Sequence, residues 1–120
     1  YWMVGNLVTD PQNRTRWFRH LKRRGYKGGA GNERRILTLF YGLDGLNWLQ
    51  AGVVAMAKDP LQSFMYSHMF IDGDDLLFAV RTSKQGGNNH DAELITFHRV
   101  RDFRSLALDI HPRIQPERSE

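Results

Sequence analysis

Short apolar runs separated by turn-forming residues occupy most of this chain. YWMVGNLVT (1–9), RILTLFY (35–41), WLQAGVVAM (48–56), SFMYSHMFI (63–71), LLFAVRT (76–82) and ELITFHRV (93–100) have the length and the β-branched and aromatic content of strands. SLALDI (105–110) is a weaker seventh. Asp10-Pro11, Asp44-Gly45, Lys58-Asp59-Pro60, Asp72-Gly73-Asp74-Asp75 and the polar loop SKQGGNNHD punctuate them. Only TRWFRHLKRR (15–24) has helical spacing, with Trp17, Phe18 and Leu21 on one side. Strict alternation in SFMYSHMFI would place Phe64, Tyr66, His68 and Phe70 on one face and Met65, Ser67, Met69 and Ile71 on the other. The pattern predicts an all-β chain: a sandwich, a barrel or a propeller.

Internal repetition chooses among these architectures. Residues 35–49 slide onto residues 93–107, which sets Thr38 on Thr96 and Asp44 on Asp102, each Asp at the same distance after its strand. YWMVGN (1–6) falls against LLFAVR (76–81), again one strand upstream. The order strand, loop, strand, Asp turn, strand is therefore written twice. In the first copy the turn reads GLDGLNW (42–48). Gly45 can adopt positive φ without a Cβ clash, and Asp44 can accept hydrogen bonds from N–H groups in the turn.

GLDGLNW resembles the Asp box of sialidase-like, or BNR-repeat, β-propellers, whose pattern is Ser/Thr-x-Asp-x-Gly-x-x-Trp. Asp44, Gly45 and Trp48 match; Gly42 stands where Ser or Thr is usual, and the residue between Asp and Gly is missing. The second copy keeps Asp102 alone. IDGDDLLFAVRTS and HDAELITFHRVRDFR are also similar to the last blades of such proteins. The resemblance implies four-stranded antiparallel blades: residues 1–60 as the penultimate blade with a loop insertion at 10–34, residues 61–110 as the last, and 111–120 as a disordered tail. It implies a C-terminal piece of a larger propeller, incomplete on its own, whose partners include the missing N-terminal blades.

Charge alters this picture in one place. The formal net charge is +4, and nine of the 17 Lys and Arg residues lie between Arg14 and Arg35. A local basic segment suggests an anionic partner, with a solvated loop as the alternative. Aromatic residues interleave with the basic ones there, as in single-strand nucleic-acid binders, but no RNA-binding signature surrounds them, so nucleic acid ranks last. KGGAGNE (27–33) lacks the ending of a phosphate-binding P-loop. The absence of Cys removes disulfides and thiolate metal sites. No apolar run is long enough for a membrane-spanning helix.

The resemblance also supplies candidate chemistry. Tyr66 lies in a segment similar to the one carrying the sialidase nucleophilic Tyr; a neutral phenol avoids repulsion with an anionic sugar and needs a nearby base. Interblade packing is the alternative for Tyr66. The usual partner is a Glu, and only Glu33 and Glu93 precede the tail. Arg81, at the end of an apolar strand, is a clamp for a sugar carboxylate or a partner for Asp72, Asp74 or Asp75. His90 is a candidate acid or base, and His68 and Asn6 join Arg81 as candidate substrate contacts. Asn88, Asn89, His90 and Asp91 are consecutive and cannot all face one ion, so neither metal nor cofactor is expected. The implied function is a glycoside hydrolase acting on anionic glycans, secreted or periplasmic. A non-catalytic carbohydrate-binding propeller and a polysaccharide lyase are the alternatives.

Overall fold

A computed structural model describes residues 1–9, 11–12, 16–26, 33–59, 61–84 and 92–107. Six strands form in the order the pattern predicts: β1 (Trp2–Asn6), β2 (Ile36–Tyr41), β3 (Leu49–Met56), β4 (Ser63–Asp72), β5 (Asp75–Ser83) and β6 (Leu94–Val100). One helix, α1 (Arg16–Arg23), lies between β1 and β2. The strands make two three-stranded antiparallel sheets, β1-β2-β3 and β4-β5-β6, each in simple meander order. The chain is thus all-β in character, with three strands per sheet among the described residues. The predicted strand at 105–110 does not form over its described part: residues Phe103–Leu106 are a 3-10 turn, entered through Asp102 in the left-handed region. Residues 108–110 and the predicted tail lie outside the described residues.

The sheets pack face to face over one core. Leu37 and Leu39 from the first sheet meet Phe64, Leu76, Phe78 and Val80 from the second, and Phe103 of the 3-10 turn closes one end. Trp2 packs edge-on against Phe103, with ring centroids 5.1 Å apart. The two meanders stack in the same sense: β1 lies against β4, and β3 against β6. A polar seam joins them at one edge. The Phe64 N–H donates to the carbonyl of Arg34 at 2.8 Å, and Asn6 Nδ2 donates to the carbonyl of Phe64 at 3.1 Å.

Helix α1 belongs to a second, smaller cluster. Phe18 and Leu21 are buried against Tyr26 and Leu61, and Arg24 pairs with Asp59 at 3.0 Å. Phe18 and Leu21 share a side as their spacing predicts; the side chain of Trp17 lies outside the described residues. The ends of the insertion are tied together by a buried carboxylate. Glu33 accepts from the Thr9 N–H at 2.7 Å, from the Thr9 hydroxyl, and from Arg35 Nε at 2.7 Å. No helix among the described residues is long and apolar enough to cross a membrane.

Candidate functional site

Tyr66 stands in a bulge, and the bulge sets what surrounds it. Met65 pairs with Arg81 and His68 with Ala79, so Tyr66 and Ser67 together oppose one residue of β5. Tyr66 takes φ 48°, the left-handed region where glycine is usual. Such a conformation in a bulky residue costs on the order of 1–3 kcal/mol and persists only where the surroundings impose it. The extra residue also resets the alternation of β4. Phe64 turns into the core, whereas His68 and Phe70 share the outer face with Met65. The single-face grouping of Phe64 with Tyr66, His68 and Phe70 is therefore corrected: strict alternation fails wherever a bulge adds a residue.

Register across the second sheet orders its outer face into rows, because paired residues share a face. Met65, Arg81 and Ile95 form one row; His68, Ala79 and Phe97 the next; Phe70, Leu77 and Arg99 a third. The Arg81 guanidinium sits over the Tyr66 ring, 5.4 Å from its centroid, within cation–π range. Tyr66 is 66% exposed. His68 lies beside Phe70 with ring centroids 6.0 Å apart. Tyr66, Arg81 and His68 thus gather on one face, while His90 lies outside the described residues.

The acids named as alternative partners for Arg81 are engaged at the far hairpin. Arg99 bridges Asp72 at 3.1 Å and Asp75 at 2.9 Å, and Arg104 lies 3.6 Å from Asp74. The Asp75 carboxyl is held below the usual aspartate range first by the Asp102 backbone N–H and then by Arg99. Neither Glu offered as a base for Tyr66 has both oxygens open. Glu33 is sequestered by Thr9 and Arg35, and Glu93 accepts from the Lys84 N–H at 2.8 Å. Asn6 spends its amide N–H groups on the carbonyls of Arg34, Ile36 and Phe64, joining the sheets.

The two aspartate turns differ. Asp44 Oδ1 accepts from the N–H groups of Leu46 (2.9 Å) and Asn47 (2.8 Å), and Oδ2 accepts from the Asn47 amide (2.6 Å). These bonds, led by that from the Asn47 backbone, lower its pKa to about 2. Gly45 follows at φ 73°. Gly42 is required for space: a Cβ there would lie 2.5 Å from the Asn47 carbonyl and 3.2 Å from the Trp48 ring. Asp102 holds its turn differently. Its side chain makes no capping bond; its backbone N–H donates to Asp75, and its carbonyl accepts from Ser105.

Two polar clusters had no signal strong enough to find in advance. Thr82, Thr96 and His98 form a hydrogen-bonded chain across β5 and β6, at 2.6 and 2.8 Å, and burial pushes the His98 pKa down. On α1, Arg16, Arg19 and Arg23 line a cleft of about 400 Å³. Their i, i+3, i+7 spacing was legible, but not that no acid among the described residues pairs with them. Among the described residues no group of three or more metal-ligating side chains converges. No protein-family model, curated protein or solved structure matches the chain.

Proposed function

We propose that this chain is part of a sialidase-like β-propeller and that the bulged edge of its second sheet binds an anionic glycan. Tyr66 is the platform for a sugar ring and Arg81 the clamp for its carboxylate, with His68 beside them. One observation carries the reading: an exposed aromatic ring, held in a strained bulge, lies directly under a guanidinium. An aromatic face suits the apolar side of a sugar ring, and the planar fork of Arg matches a carboxylate with two parallel hydrogen bonds.

The propeller part of the proposal draws on the stacking of the two meanders. In that arrangement β1–β3 are the second to fourth strands of one blade, joined at Asp44, and β4–β6 are the first three of the next. Binding is preferred to cleavage because Glu33 and Glu93, the acids offered as base, are hydrogen-bonded to other groups.

Isothermal titration of the intact chain with glucuronic acid or sialic acid, against a neutral sugar, tests this. The acidic sugars should bind and the neutral one should not. Arg81→Gln should weaken binding about tenfold, or about 1.4 kcal/mol. Equal binding of the neutral sugar, or an unchanged Arg81→Gln variant, overturns the proposal. Release of free sugar from an aryl glycoside, lost in Tyr66→Phe, would instead establish a hydrolase.

A further inference from the structure

Helix α1 carries a charge arrangement that works against its own folding. Arg16, Arg19 and Arg23 lie within a narrow arc of its surface, because residues three, four and seven apart stack on one helical face. Arg19 and Arg23 are an i, i+4 pair of like charge, which destabilises a helix by a few tenths of a kcal/mol. Arg16 occupies the first turn, where the helix dipole disfavours a cation, and that turn contains no acid. Four other arginines are matched: Arg24 with Asp59, Arg35 with Glu33, Arg99 with Asp72 and Asp75, Arg104 with Asp74. No acidic side chain among the described residues pairs with the three that line the cleft.

We infer that the Arg16–Arg19–Arg23 cleft is a second anion-binding site, which takes the sulfate or carboxylate groups of an acidic polysaccharide. At 1.5 Å of rise per residue the three guanidiniums span about 10 Å along the helix, room for more than one charged group of an extended chain. Each fork matches an oxyanion, and the bound charge relieves both the like-charge repulsion and the dipole mismatch. The described aromatic side chains at α1 argue against a nucleic-acid single strand. Phe18 is buried, Tyr26 is half-buried against it, and Lys22 lies over both rings at 5.3 and 5.9 Å. These aromatics are turned inward and offer bases no stacking platform. The polysaccharide class rests on the glycan reading of the second sheet; the oxyanion chemistry rests on α1 alone.

The test is titration of the intact chain with a heparin oligosaccharide and with a DNA duplex of equal charge, at several salt concentrations. The heparin oligosaccharide should bind more tightly than the duplex, and its affinity should fall as salt rises. Combined Arg16→Gln, Arg19→Gln and Arg23→Gln should cut heparin affinity at least tenfold and flatten the salt dependence. Arg101→Gln, loss of an exposed charge outside both sites, should leave heparin affinity and the salt slope unchanged, and glucuronic acid titrated into the triple variant reads the sheet site separately. Arg19→Gln alone, with an unchanged circular dichroism spectrum, guards against misfolding of the triple variant and should show a partial loss. Unchanged heparin affinity in both α1 variants overturns the site. Tighter binding of the duplex overturns the polysaccharide assignment.

Discussion

Asp44 holds its turn with three hydrogen bonds, and their effect can be read as acidity. Its pKa of about 2 lies below the ordinary 3.8, so the unfolded chain binds this proton more tightly than the folded one. The stabilisation is complete above about pH 4 and is lost as pH falls through 2. A carbon-detected NMR titration should place the Asp44 midpoint near 2. In Asp44→Asn the thermal midpoint should fall, and that part of its acid dependence should vanish. A midpoint near 4 would show that the turn bonds do not persist in solution. Gly42 illustrates a different residue-level constraint. The Asp-box pattern that this turn resembles puts Ser or Thr there, but the close approach of Asn47 and Trp48 leaves no space for a side chain.

At the level of the strand, the bulge and the register decide which apolar residues matter. Phe78 and Phe97 lie in adjacent register pairs of β5 and β6, and so on opposite faces of the second sheet. Phe78 is fully buried between the sheets, and Phe97 is 76% exposed. Phe78→Ala should cost about 3–5 kcal/mol in a urea titration, from lost burial and the cavity left behind. Phe97→Ser should change stability by no more than about 0.5 kcal/mol. Comparable losses for the two would mean that the outer face is covered in solution. Strand positions were legible from the runs themselves, because short β-rich segments bounded by Asp, Gly and Pro have few alternatives. The facing of β4 was not: one residue in the left-handed region at Tyr66 reverses the pattern from there on.

On the scale of the molecule, Glu33 closes the basic insertion onto the sheets. Thr9 stands just before residues 10–34 and Glu33 near their end, and their bonds bring the two together beside Arg35. The Glu33 side chain is nearly inaccessible, so removing it takes away a buried acceptor that Thr9 and Arg35 share. Glu33→Ala should destabilise the chain by about 3 kcal/mol in urea and speed proteolysis within residues 16–26. A surface pair would cost under about 1 kcal/mol, and a value in that range would remove Glu33 from the architecture. From the sequence, Glu33 is a candidate base for Tyr66 and nothing more. Its partners are 24 and two residues away, and only folding shows that both reach it.

The amino-acid sequence alone determined the all-β character, the six strands, the helix and the hydrogen-bonding aspartate at 44, because each depends on neighbours within a few residues. Tertiary structure decided the rest. It made two three-stranded sheets with one core, turned Phe64 inward, set Arg81 over Tyr66, and left three arginines of α1 around a cleft. Each of those outcomes depends on which distant groups arrive at the same place, and local spacing holds no record of that.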